Sequence, residues 1–195
     1  MGRPSVKSQL IERTFMVFLA QGYEGASVND LVATAGVPKG SFYNHFPSKE
    51  ALAVEHVRRY VGELELEPLV DSKGPAIQAL REHFEHRIAA RAATGLENGC
   101  LLGNFSAGAP LECTELRAAV DEGFARWQGS VAGVLRRAQE RGELHREISA
   151  DELATYLVGA FEGAIASAKT SGHPDNVRSF MDMTFNVILP RMKST

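Results

Sequence analysis

The chain has 195 residues, 44% of them apolar and 23% charged, with a formal net charge of −3. That is enough material for one or two small domains with a real core, and it excludes a disordered or low-complexity chain. No apolar run approaches the roughly 18 residues of a membrane span, Met1–Gln9 is too polar for a secretory leader, and two cysteines, Cys100 and Cys113, are too few for a disulfide framework. The expectation is a soluble, cytoplasmic protein with no membrane partner.

Of the 21 basic and 24 acidic side chains, residues 1–60 hold seven and five (the seven being Arg3, Lys7, Arg13, Lys39, Lys49, Arg58 and Arg59), so a mildly basic segment precedes an acidic remainder. This suits a protein that touches phosphates with one end. Ordinary variation along a chain gives the same count, so the motifs decide. The first helix is expected from Ser5 to Gln21, where Leu10, Ile11, Thr14, Phe15 and Phe18 recur at helical spacing and Gly22 supplies a stop. Ser27 caps a second helix, Val28 to Ala35, with Asp30 placed for a capping box. Gly36 permits the turn, Val37 can tuck into the core, and Pro38 can occupy the first position of a third helix.

The third helix is expected from Lys39 to about Phe46. Phe42 and Phe46, four apart, would face the core with part of the Tyr43 ring, leaving Lys39, Ser41, Asn44 and His45 outside. Gly40 leaves the surface bare for close approach by a phosphate or a base edge. Pro47 stops this helix, and Ser48 caps a fourth that runs from Lys49 to roughly Leu66. Three short helices, the last two joined by a three-residue turn, read as a helix-turn-helix. Any small helical bundle shares that punctuation; the outward chemistry of Lys, Ser, Tyr, Asn and His beside Gly is what favours DNA.

Leu10–Leu52 resembles the DNA-binding domain of the TetR family of bacterial transcriptional regulators. The resemblance rests on Phe18, Gly22, Tyr23, Ser27, Leu31, Ala35, Gly36, Val37, Lys39, Gly40, Ser41, Tyr43, His45, Phe46, Lys49 and Leu52. Phe42 stands where that family commonly has Leu or Ile, and Ser27 and Ser41 where Thr is frequent; each keeps the apolar bulk or the hydroxyl. The resemblance implies a double-stranded operator as partner. Lys39, Gly40 and Ser41 would face base edges and phosphates, Tyr43, His45 and Lys49 would clamp the backbone, and Ser27 with Val28 would anchor the preceding helix.

Beyond residue 66 the expectation is a breaker-rich link, Glu67-Pro68 to Gly74-Pro75, and then a helix from Ala76 to Ala93 with Ile77, Leu80, Phe84 and Ile88 on one face. His83 and His86 lie three apart, but no third ligand is evident, so no metal and no cofactor are expected. After a loop at 94–98, Gly99–Pro110 reads as a short Gly-interrupted apolar helix. Helices follow over Cys113–Arg141, from Ala150 to about Lys169 behind a Ser149–Glu152 capping box, and from Asp175 to about Met192. The fold class is all-α, about nine helices, with no strand pattern. A helix-turn-helix domain at 1–50 precedes a larger helical ligand-binding and dimerisation domain at 51–195, the helix from about 49 to 66 linking them.

Small and apolar residues share faces on the last two helices, at Val158–Ile165 and from Phe180 to Ile188. An internal core needs as much, but a short reading helix gains from a two-fold dimer, and the resemblance implies dimerisation through this pair. It also implies a cavity for a small-molecule inducer, with Phe84, Phe105, Phe124, Trp127 and Phe161 as candidate walls or as solid core. Cys100 follows Asn98-Gly99 near a helix start, where a thiolate is favoured. The Gly-Cys-x-x-Gly-Asn stretch is similar to that of TetR-like regulators answering electrophiles or oxidants, and to others binding ordinary ligands. Cys100 is thus a sensor candidate or a buried thiol among Leu101, Leu102 and Phe105, and a disulfide with Cys113 is conceivable only if the fold brings the two close. The expected function is a ligand-responsive regulator, a repressor in the first instance, and not an enzyme. The alternatives are a Cys100-dependent enzyme, for which no His-Asp arrangement is visible, and a helical adaptor with a decayed DNA motif.

Overall fold

The computed structural model describes residues 5–192, and these contain helices, turns and loops but no strand. The residues before Ser5, including Arg3 of the basic count, and the three after Met192 lie outside the described residues. The chain divides into two compact units: residues up to 63 with 100–123, and residues 64–99 with 124 onward.

The first unit begins with α1, Val6–Gly25, whose Ser5 hydroxyl accepts from the Ser8 amide. Gly22, at φ 70° and ψ −176°, breaks the helical geometry where a stop was expected, although helical hydrogen bonding resumes to Gly25. Around Ser27 the capping box closes in both directions, the Ser27 hydroxyl accepting from the Asp30 amide and the Asp30 carboxylate from the Ser27 amide, and opens α2, Val28–Ala35. Gly36 ends it in the left-handed region at φ 68°, a conformation costly for any residue with a Cβ. Then come α3, Lys39–Tyr43, and α4, Lys49–Gly62, the latter capped by the Ser48 hydroxyl on the Ala51 amide.

The same unit takes in α7, Leu101–Gly108, and the first part of α8, Thr114–Glu140. The Asn104 side-chain amide donates to the Leu19 carbonyl at 2.9 Å, and the Glu50 carboxylate accepts from the Leu116 amide at 3.0 Å. A Cβ on Gly123 would come within 2.9 Å of the Val61 side chain, so glycine there is what lets α8 lie close to α4. Residues 100–123 thus pack with the helix-turn-helix residues.

In the second unit the expected link at 67–75 contains a short helix, α5, Leu66–Asp71, which buries Leu66 and Leu69. Pro68 sits in its first turn, where no backbone N–H is needed. Glu65 before it has φ 53°, the single positive value among described residues other than glycine. The carbonyls of Leu69 and Val70, left open by so short a helix, accept from the Arg137 guanidinium. Next is α6, Ala76–Thr94, whose first two amides donate to the two oxygens of Glu143 at 3.1 Å each.

The buried face of α6 holds Leu80 and Phe84 as expected. Ile77 and Ile88 are only half-buried, and His83, Arg87 and Arg91 take the adjacent inward row. Completing the unit are α9, Ala150–Ser171, and α10, which runs as Asp175–Asp182, a widened π segment Met183–Ile188 and a last turn Leu189–Arg191. The widening precedes Pro190, which has no N–H to give and whose ring crowds the carbonyl four residues back. At the start of α9 the Ser149 hydroxyl accepts from the Glu152 amide at 3.3 Å, the forward half of the expected capping box.

Candidate nucleic-acid interface

The reading segment is built outward from two buried rings. Phe42 is fully buried and Phe46 nearly so, their centroids 6.0 Å apart, and they hold α3 to its unit. The helix ends earlier than expected, at Tyr43, because His45 and Phe46 both direct their amides to the Phe42 carbonyl and tighten the last turn. Pro38 stands at the N-cap rather than inside the helix. Lys39, Gly40, Tyr43, Asn44 and His45 are exposed and Ser41 is half-buried. Tyr43 sets its ring edge-on to Phe42 at 5.2 Å yet remains 52% exposed, more outward than expected. A Cβ at Gly40 would meet nothing within 4 Å, so packing does not demand glycine there and the bare backbone faces open space.

Several residues support this face from behind. Arg13 donates to the Ala35 carbonyl at 3.1 Å, tying the end of α2 to α1, and Lys7 lies over the Phe46 ring at 5.8 Å. Neither role was visible in the sequence, because each depends on a partner more than 20 positions away. Ser27 is exposed, but its hydroxyl is committed to Asp30, and these hydrogen bonds hold the Asp30 carboxyl below its ordinary range. Val28 is half-buried. Lys49 is not a free cation: its ammonium donates to the Tyr23 carbonyl at 2.8 Å and rides over the Tyr23 ring at 4.2 Å, and burial lowers its pKa. One of its three N–H groups is thereby used, leaving two for other acceptors.

Behind Lys49, the Cys113 thiol donates to the Tyr23 hydroxyl at 3.3 Å, and burial raises the Tyr23 pKa. His56 is buried against Phe18 and Phe15. Its Nε2 donates to the Thr14 hydroxyl at 2.9 Å, since that hydroxyl gives its own proton to the Leu10 carbonyl. Burial pushes the His56 pKa down to about 4, so the ring is neutral.

The expected inducer-site residues are divided between the two units. Phe105 packs in the first unit, edge-on to Phe18 at 5.6 Å and Tyr23 at 6.1 Å. Of the two readings of Phe105, wall or core, these ring contacts are those of a core residue, in the unit that holds the 100–123 segment. Cys100 is there too, 2% exposed at the N-cap of α7, its sulfur accepting from the Tyr60 hydroxyl at 3.2 Å. Both cysteines are free thiols, so the conceivable disulfide is not formed.

Phe84, Trp127 and Phe161 do meet, in the second unit. They are fully buried with centroids 5.1 to 6.4 Å apart, and Phe180 closes the cluster. Phe124 is half-buried. The two histidines take separate partners: the Trp127 indole donates to His83 Nε2 at 2.9 Å, and His86 pairs with Glu65 at 2.7 Å. Two depressions mark this unit, a cleft of about 240 Å³ between α5 and α6 and a groove of about 400 Å³ between α9 and α10.

Comparison with known proteins gives this geometry its context. Residues 10–55 match the family described as bacterial regulatory proteins, tetR family, and residues 76–184 match the tetracyclin repressor-like C-terminal domain. The chain belongs to the TetR family. It is 33% identical to the HTH-type transcriptional repressor DhaR of Mycobacterium sp. (strain GP1), over 97% of this chain and 96% of that one. It also resembles the crystal structure of the regulatory protein TetR from Rhodobacter sphaeroides, with a TM-score of 0.81, 31% identity, and coverage of 93% and 97%. A cysteine-substituted TetR-family regulator, CifR, solved with a 26-bp operator duplex, shares the fold at a TM-score of 0.81 and 22% identity, covering 95% of this chain and 99% of that one. This TetR-family member is thus a transcriptional regulator with the family's DNA-binding and C-terminal domains. No described helix is long and apolar enough to cross a membrane.

Proposed function

We propose that this regulator binds a palindromic operator in the cytoplasm as a homodimer, reading each half-site with the face that runs from Lys39 to His45. The observation that carries the reading is that exposed face itself: Lys39, Gly40, Tyr43 and His45 stand in solvent on a helix whose other side is locked by Phe42 and Phe46. Lys39, Gly40 and Ser41 take base edges and nearby phosphates, and Tyr43, His45 and the remaining protons of Lys49 take the backbone. Ser27 and Val28 position α2 across the duplex. Residues 1–50 form the reading domain and 51–195 the ligand-binding and dimerisation domain. No catalytic role is assigned to Cys100, whose buried sulfur is engaged by Tyr60.

Dimerisation is assigned to α9 and α10. The groove between them is lined by the small residues Ala160, Gly163 and Ser167, with Tyr156 and Met183 at least half exposed, a surface on which a second copy packs closely. A small molecule or electrophile held in the second domain favours a dimer whose reading helices lie off the spacing of about 34 Å, one turn of duplex, and so releases the operator. The buried cluster of Phe84, Trp127 and Phe161 backs that ligand through the hydrogen bond from Trp127 to His83, which lines the α5–α6 cleft. Operator titrations across a salt series test the reading. The expected result is a steep loss of affinity with salt, as phosphate contacts require. Affinity independent of salt would contradict it.

A further inference from the structure

The α5–α6 cleft is lined by a histidine ring whose one nitrogen is taken by the fold and whose other is open to the cleft. Trp127 Nε1 can only donate, so His83 Nε2 accepts, and the proton of the neutral ring is on Nδ1. His83 is 8% exposed and lines the cleft. Nδ1 is not among the described side-chain atoms sealed from solvent without a partner, so its proton is open to water or to a ligand in the cleft. Pro68, Leu69 and Ala79 supply apolar walls, and Glu65 and Glu82 bring two carboxylates to the rim.

The lining carries no lysine or arginine, so an anion entering it meets like charge. Nor does the His83 ring offer a cation, since burial pushes its pKa down to about 3, with Arg87 adding to the effect. The cleft, at about 240 Å³, is smaller than the pockets that take drug-sized molecules, which start at roughly 300 Å³.

From this we infer that the α5–α6 cleft binds a small uncharged molecule with a carbonyl-type acceptor on a compact apolar body. The acceptor takes the His83 Nδ1 proton, a donor group on the same molecule faces Glu65 or Glu82, and the apolar body lies on Pro68 and Leu69. The inference rests on the ligand-responsive reading above and names the chemistry that its effector site accepts. Because Trp127 is the single tryptophan of the chain and is bonded to His83, its emission reports occupancy directly.

Three probes built on one ring separate the chemistry: benzamide, with acceptor and donor; benzoate, with acceptor and negative charge; and neutral aniline, with donors and no carbonyl. Titrated into the full chain, benzamide should shift Trp127 emission saturably in the millimolar range, with benzoate and aniline each weaker by roughly tenfold, about one hydrogen bond's worth. His83→Leu should weaken benzamide by roughly tenfold or more, and His83→Gln, which keeps an N–H donor, should restore binding. Ala79→Leu, which fills the cleft from α6 and leaves the Trp127 bond alone, should abolish the shift even if His83→Leu does not fold. The inference is overturned if benzamide gives no saturable shift, if benzoate binds as well, or if Ala79→Leu binds benzamide like the parent chain. Operator affinity is titrated on the same protein without probe; its failure strikes the DNA-binding reading, and a missing emission shift strikes the cleft alone.

Discussion

Each unit buries one neutral histidine, and the two are used differently. In the first unit, His56 is wedged between α1 and α4, donating to Thr14 with Phe15 and Phe18 around it. The interior there serves to hold α1 to α4 beneath an outward polar face whose reading residues are in solvent. In the second unit, His83 accepts from Trp127 and lines a cleft, so its remaining proton faces a space that a ligand can enter. A DNA reader turns its polar groups outward over a rigid base, whereas a ligand site turns a few inward and leaves one open to what enters.

The largest effect tests the rigid base. Phe42→Ala empties a fully buried site under the reading face and should cost roughly 3 to 5 kcal/mol in chemical denaturation, with operator binding lost in proportion. If denaturation shows that loss while operator affinity is unchanged, the reading face does not depend on its anchor.

Acid comes next. Folded His56 titrates near 4 against an ordinary 6.5, so below about pH 6.5 the unfolded chain binds the extra proton. The stability is complete above that pH and is lost as pH falls towards 4, a total of roughly 3 kcal/mol. His83, held near 3, contributes in the same direction over a wider window. His56→Gln keeps a donor for Thr14 and should flatten the stability-versus-pH slope by up to about 1.4 kcal/mol per pH unit. An unchanged slope would mean the ring is charged in the folded state.

Smaller effects belong to the face itself. Lys39→Ala should cost about 1 to 3 kcal/mol of operator binding and relax sequence preference. Lys49→Ala should weaken all sequences alike and lower the salt slope by about 1, while losing some stability through its Tyr23 bond. If Lys49→Ala leaves the salt slope untouched, the residue is purely structural. Smallest is Ser27→Ala, which removes an exposed cap and should cost about 1 kcal/mol in thermal or chemical unfolding.

What could be read from the sequence was local. Ser27 with Asp30, Gly36, Ser48, and the Phe42–Phe46 pair each declare themselves within four residues, and the structure uses all of them as a cap, a left-handed turn or an anchor. What could not be read depended on distant partners. Phe105 read equally as cavity wall or core, and the packing of the 100–123 segment with α1 through Asn104 and Leu19, 85 positions apart, was hidden. The Lys49 bond to Tyr23 was hidden for the same reason. Apolar periodicity missed the inward row of His83, Arg87 and Arg91 because it counts only apolar side chains. The breakers around Pro68 concealed α5, although proline is harmless in a first turn.

The central claim is that the face from Lys39 to His45 reads DNA sequence in two copies at once. Its most direct test is selection of bound duplexes from a random pool by the intact protein, repeated with Lys39→Ala. The account predicts an inverted repeat whose half-sites are centred one helical turn, about 34 Å, or a multiple of it apart. It also predicts that Lys39→Ala blurs the same position in both halves. Enrichment of no sequence, or of a motif that Lys39→Ala leaves unchanged, would contradict it.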